Sequence, residues 1–381
     1  MNGALTKDAA SPPLFACCSI GLSWAEGREA WARRMVILAG AVIGALAVAL
    51  SYFGNPANTG ICISCFLETS AGALGLHGNE RMHYLRPELI GFVLGAFAMA
   101  RRTGEFAARG GSSPIIRFIV GVFLIVGCAV FMGCPIKMIL RLAAGDLSAV
   151  AGVAGLVAGV AAGIVYFKKG FSLGPQPNVA AANGYVVPAL AAMLLLLLLA
   201  EPAFLRYSGK GAGGSHAPLA MSLAAGLAIG AIAQRSHFCV TGGIGNILVA
   251  RDFTMFQGIA SMFVTAMAVS MLTGQFNAGL LDQPGSHLDY GWSFAGLFLV
   301  GLGSVLAGGC PFRQMVLAGS GNVDSGFTLM GMLAGAAFVQ NWQMGGTSAG
   351  VLFNGKIAVL AGLVFMAALG LTFRKREGGA A

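Results

Sequence analysis

Residues 133–138 read Gly133-Cys134-Pro135-Ile136-Lys137-Met138, and residues 309–315 read Gly309-Cys310-Pro311-Phe312-Arg313-Gln314-Met315. The two stretches lie 176 positions apart, and the same offset carries Gly145 onto Gly321, Gly155 onto Gly331 and Gly159 onto Gly335. Upstream, Gly60-Ile61-Cys62-Ile63-Ser64-Cys65 falls beside His237-Phe238-Cys239-Val240-Thr241-Gly242, one residue out of that register. Chance supplies one Gly-Cys-Pro match easily. It rarely supplies cysteines, glycines and apolar runs in the same order across so long a stretch, so the chain repeats itself.

Composition says what is being repeated. Of the 381 residues only 10% are charged, while 57% are hydrophobic and 58 are glycine. A soluble domain carries about 25% charged residues. An ordinary soluble enzyme, a disordered chain and a collagen are excluded, and a polytopic membrane protein rich in small residues is indicated. The net charge of +9 is spread too thinly for a nucleic-acid partner. Apolar runs bounded by Gly, Pro, Asn and charges predict spans at 35–53, 87–101, 114–132, 148–167, 184–200, 218–233, 254–273, 292–308, 325–343 and 355–373. Small-xxx-small pairs such as Gly155/Gly159 and Gly331/Gly335 predict close helix crossings.

Four segments, 59–76, 134–145, 235–250 and 309–321, are too short or too polar to cross, and each carries Gly and Cys. Irregular backbone at membrane depth is stable only when buried in protein or facing water. These segments therefore read as re-entrant half-helices around a central site. The expected fold is an all-α integral membrane protein of about ten transmembrane helices with four re-entrant half-helices in two inverted repeats. The repeats cover 35–205 and 206–376, between an N-terminal segment 1–34 and a tail 377–381. Five spans per half turn the second half upside down. Most of the 23 basic residues, among them Arg33, Arg34, Arg101, Arg102, Lys168 and Lys169, then fall on one side, which places both termini in the cytoplasm. Leu14–Ile20 lacks the features of a cleavable signal peptide, and Cys17-Cys18 reads as lying outside the membrane core.

The re-entrants carry the chemistry. In Gly-Cys-Pro, with Gly133 and Gly309 in front, the cysteine suits an N-cap and Pro135 or Pro311 the first helical residue. A half-helix N-terminus presents free N–H groups and a positive dipole end to an anion. Lys137 and Arg313 follow at equivalent positions, where a cation weakens the helix and so calls for another role; attracting an anion is one. Arg235 is a third candidate for that role, and His237 a candidate gate or proton partner. Thiols at Cys62, Cys65, Cys134, Cys239 and Cys310 are soft, weak donors suited to a sulfur- or selenium-containing anion. Cys62-x-x-Cys65 also permits metal ligation with Cys134, His237, Cys239 or Cys310, or dithiol redox exchange as in a membrane thiol oxidoreductase. No catalytic residue, resident metal or cofactor is predicted; the absence of a Walker A or GxGxxG motif argues against ATP hydrolysis.

Among the remaining residues, Glu68 and Arg235 form a candidate pair. His77, His83, His216 and His287 fall in loops and read as surface. Asp146, Asp252 and Asp324 read as loop or cap residues, and no intramembrane carboxylate stands out as a proton site.

Several stretches together resemble a known family. They are Phe53-Gly54-Asn55-Pro56-Ala57-Asn58 running into Gly60–Phe66, Tyr84-Leu85-Arg86-Pro87-Glu88, Phe131-Met132-Gly133-Cys134-Pro135 through Arg141, Arg235-Ser236-His237-Phe238-Cys239, and Gly308-Gly309-Cys310-Pro311 through Gln314. Across about residues 35–375 the chain resembles the YeeE/YedE membrane proteins, within them the YedE-type proteins assigned to selenium transport. The resemblance implies uptake of thiosulfate-like anions across the bacterial inner membrane. It also implies pore cysteines that pass the ion along by S–H contacts, and a cytosolic TusA-like carrier as the receiving partner. Those roles fall on Cys62, Cys134, Cys239 and Cys310, with Cys65 as an additional thiol.

Overall fold

The computed structural model describes residues 26–373. Cys17, Cys18, the rest of 1–25 and the tail from 374 lie outside the described residues. In chain order the elements are α1 (Glu26–Tyr52), α2 (Ile63–Ala73), α3 (Pro87–Thr103), α4 (Pro114–Phe131), α5 (Pro135–Ala143), α6 (Ala149–Lys168), α7 (Ala181–Ala200) and the single turn α8 (Gly211–Gly214). There follow α9 (Leu219–Ser236), α10 (Val240–Ala250), α11 (Thr254–Leu272), α12 (Tyr290–Ala307), α13 (Pro311–Gly319), α14 (Val323–Asn341), a two-residue hairpin β1 (Gly346–Thr347) and β2 (Gly350–Val351), and α15 (Phe353–Thr372). The chain is an all-α, multi-pass membrane protein. Among the described residues eight segments are long and apolar enough to cross a bilayer. Three of them, Pro114–Ala143, Leu219–Ala250 and Tyr290–Gly319, join a long helix to a short one.

The joints are where the chain breaks helical geometry. Met132 (φ 63°), His237 (φ 53°) and Gly308 (φ 87°) each adopt the left-handed conformation as the long helix ends. A short helix then restarts, with Pro135 and Pro311 at the first position of α5 and α13, where a missing N–H costs nothing.

The long helices pack in reciprocal pairs: α6 on α12 and α4 on α14, α3 on α9 and α1 on α11. A Cβ on Gly155 of α6 would lie 2.1 Å from the Phe294 carbonyl oxygen of α12, and one on Gly331 of α14 would lie 1.9 Å from that of Phe118 on α4. Both partners of the second contact sit 176 positions from those of the first, with the halves exchanged. Only glycine lets the backbones approach this closely.

The connections sort onto two ends of the bundle. At the end where α1 begins and α15 finishes, Arg109 bridges to Asn178 and Asn322, Gln234 Nε2 donates to Glu105 Oε2 at 2.8 Å, and Arg235 stacks on Trp31. At the opposite, distal end Asp146 bridges to Gly279, Asn79 Nδ2 donates to Gln340 Oε1 at 2.7 Å, and the Val351 N–H donates to Asp289 Oδ2 at 2.8 Å.

Several charges that read as loop or surface residues are structural. Asp146 is fully buried and pairs with Arg141, Nε to Oδ2 at 2.6 Å. Arg141 also donates to Ser148 Oγ and to the Phe131 carbonyl. Asp324 is fully buried, pairs with Arg117 and accepts a short hydrogen bond from Ser112. His77, His83 and His287 are buried rather than on the surface. Burial pulls the His77 and His287 imidazoles below the ordinary histidine range. Each is then neutral near pH 7, donating from Nε2 to a carbonyl (Glu68 or Val130) and accepting at Nδ1 from a backbone N–H. His216 alone of these four is exposed, stacked on Tyr84.

Candidate functional site

Cys62, Cys134, Cys239 and Cys310 share one local structure: each is the extended residue that precedes a short helix. Cys62 and Cys239 form one type. Their Sγ atoms accept from the N–H three residues on, Cys65 at 3.5 Å and Gly242 at 3.3 Å. Each also contacts a hydroxyl two residues on, Ser64 at 3.3 Å and Thr241 at 3.4 Å. Cys134 and Cys310 form the other type. Proline follows, no side-chain cap is made, and the glycine before each is pinned to the preceding helix, Gly133 N to Cys128 O and Gly309 N to Ser304 O, both at 2.7 Å.

The thiols meet in pairs drawn from one half each. Cys62 contacts Cys134, and Cys239 Sγ lies 4.0 Å from Cys310 Sγ. All four are buried, and no disulfide joins the described cysteines. Each sulfur therefore sits at the N-terminus of a short helix, where the first N–H groups have no partner within the helix.

The cations at equivalent positions are set differently. Lys137 Nζ points at Cys65 Sγ, 3.9 Å away. Arg313, 1% exposed, donates from Nη2 to His237 Nδ1 at 3.1 Å, and its Nε and Nη1 have no partner. Arg235, the third candidate, has its guanidinium over the Trp31 ring at 4.2 Å. It does not pair with Glu68, whose Oε2 accepts from Gln340 Nε2 at 2.5 Å.

A cavity of about 960 Å³ opens beside the first pair. Cys65, Glu68, Arg86 and Lys137 are among its lining residues, with Gln340 of α14 opposite. Arg86 is held by Thr69 Oγ1, Asn55 Oδ1 and the Ala212 and Ser215 carbonyls. Neither Glu68 nor Arg86 stands out in the sequence as part of a site. The spacing Cys62, Cys65, Glu68 does follow a helix face, and that is the signal that finds Glu68.

The family described as Sulphur transport matches residues 235–373, the stretch that holds His237, Cys239, Cys310 and Arg313. Residues 235–373 are thus similar to that sulphur-transport family. The thiosulfate transporter TsuA of Escherichia coli (strain K12) is 29% identical over 120 residues, which is 31% of this chain and 33% of that protein. The chain thus spans about a third of the length of the curated relative it matches.

Proposed function

We propose that this protein is a permease of the YeeE/YedE type for a small sulfur- or selenium-containing anion in the bacterial inner membrane. The four short helices act as re-entrant half-helices in two inverted repeats, 35–205 and 206–376. Both termini face the cytoplasm, and the 960 Å³ cavity is the outer vestibule. The anion enters there, drawn by Lys137, and reaches Cys62 and Cys134. It then passes to Cys239 and Cys310 beside Arg313. Neutral thiols donate weak S–H contacts to its terminal sulfur or selenium while half-helix N–H groups hold its oxygens. Weak contacts at successive sites let an ion leave as well as enter. A cytosolic TusA-like carrier receives the sulfur or selenium.

The observation that supports this reading best is that the same cap, thiol and cation recur in each half. The test is uptake of labelled thiosulfate by proteoliposomes of the purified protein, with selenite and selenosulfate as competitors. Cys134→Ser and Cys310→Ser are each expected to lower uptake more than tenfold. Full uptake by Cys310→Ser would falsify the pore. The competitor that displaces thiosulfate most strongly ranks selenium against sulfur.

The Cys62 and Cys65 sulfurs, 2.8 Å apart, favour one second reading, a membrane thiol/disulfide oxidoreductase using this pair.

A further inference from the structure

Among the described residues that line the cavity, Glu68 is the one acidic side chain. It is 6% exposed and sits one turn along α2 from Cys65. A carboxylate on the wall of an anion's vestibule repels the cargo, so its presence there needs a reason other than attraction.

Its partners supply one. The ion pairs among the described residues are Arg117–Asp324 and Arg141–Asp146, and Glu68 is in neither. It is held by an amide instead. Gln340 Nε2 donates to Oε2, and Gln340 is itself fixed by Asn79 Nδ2. The Glu68 carbonyl accepts from His77 Nε2 at 2.8 Å, which anchors the backbone from the loop side. An arginine partner, as at Asp146, locks a carboxyl in its ionised form. A neutral amide donor bonds either a carboxylate oxygen or the carbonyl oxygen of a carboxylic acid, so this site tolerates both protonation states without moving. Glu88 is the contrast. It is fully buried, accepts from Asn55 and Ser222, and does not line the cavity, so it meets neither the cargo nor the vestibule.

We propose that Glu68 is a proton site that couples anion entry to proton entry: the carboxyl is protonated when the anion occupies the vestibule floor and releases its proton as the anion moves on. The proposal rests on the permease reading. The groups facing Glu68 are Cys62 before α2, Cys65 on α2, Cys128 on α4 and Lys137 on α5, with Arg86 on the same cavity wall and His77, beside His83, on the Glu68 carbonyl. Lys137 is the cation among them that is turned to a thiol rather than to the carboxyl. Proton binding and anion binding then favour each other, and by linkage the effect is reciprocal. Each negative charge moved against a 100 mV inside-negative potential costs about a fifty-fold concentration ratio. One proton carried with a dianion removes one of those factors.

The experiment compares wild type and Glu68→Gln in proteoliposomes by three measurements: exchange of internal for external labelled thiosulfate, net uptake under an acid-outside gradient, and lumenal pH from a trapped dye. In the wild type, a one-unit gradient is expected to raise net uptake about tenfold, following the proton ratio across one site, and added thiosulfate acidifies the lumen. Glu68→Gln keeps exchange within about threefold of wild type while losing both responses. Gln340→Leu, which deletes the amide that favours the ionised carboxyl, keeps lumenal acidification and moves half-maximal uptake to higher pH. Three results overturn the proposal: thiosulfate entry without lumenal acidification in the wild type, a gradient response retained by Glu68→Gln, or an unmoved pH profile in Gln340→Leu. Loss of exchange in the wild type overturns the permease reading, and this proposal with it.

Discussion

Cys65 in the first half and Gly242 in the second occupy the same helical position, three residues past the capping cysteine. The turn before the cap also differs. Gly60 holds it in the first half at φ 35°, with the Ala47 carbonyl 2.2 Å from where a Cβ would sit. His237 holds it in the second half at φ 53°. The first half thus places a thiol beside an open cavity, and the second places an imidazole against a buried arginine. The backbone plan is shared while the side chains around it are not. The difference teaches that the two cysteine pairs are equivalent in how they are held and unequal in what can reach them.

Arg313 should give the largest effect. A guanidinium that is 1% exposed with two unpartnered nitrogens costs the empty protein about 1–3 kcal/mol for each unsatisfied group, and an anion beside Cys310 would satisfy them. Arg313→Met is therefore expected to raise the unfolding temperature in the absence of ligand and to lower thiosulfate uptake more than tenfold. Lys137→Met, on the cavity wall, should weaken uptake less and leave the unfolding temperature within a few degrees. Equal losses on both measures would erase the distinction between the halves.

His237 tests the same contrast from the backbone side. A non-glycine residue in the left-handed region costs roughly 1–2 kcal/mol, and the turn recovers it through the Arg313–His237 hydrogen bond. His237→Gly makes the second half resemble Gly60 in the first. The expected result is a protein of unchanged stability within about 1 kcal/mol, with Cys310 labelled several-fold faster by a membrane-permeant thiol reagent. Unchanged labelling would mean that the imbalance in access has another origin.

Much of this arrangement is legible in the sequence because it rests on local chemistry. Gly-Cys-Pro fixes a cap and a first helical residue, and glycines at a spacing of four mark the crossings at Gly155 and Gly331. The short helices therefore appear close to where the pattern puts them. What is hidden depends on long-range partners. Arg141 and Asp146 are five residues apart, yet nothing local says that both are buried. His77, His83 and His287 are drawn inward because long connections fold back over the helix ends, which apolar periodicity does not describe. Charge alone pairs Glu68 with Arg235. Its real partner, Gln340, lies 272 residues away, and Arg235 is taken by Trp31.

Cys65 carries the smallest expected effect and the sharpest choice between the two readings. In the permease reading the thiols that precede the short helices do the work, since they are what both halves have in common, and Gly242 leaves the second half with no side chain at the position of Cys65. Cys65→Gly should then keep thiosulfate uptake within about threefold of wild type, a change of less than about 0.7 kcal/mol, while removing the most accessible described thiol from reaction with a membrane-impermeant reagent. In the oxidoreductase the pair is indispensable. Cys62 and Cys65 must form and break a disulfide, a change of two electrons and two protons exchanged with a partner dithiol, and glycine at 65 abolishes it outright. A loss beyond tenfold in Cys65→Gly, with Cys310→Ser active, would move the chemistry to the first half alone and make the second half its scaffold. Retained uptake leaves Cys65 as a thiol that Lys137 holds at the vestibule, where it meets the cargo first without being required to pass it on.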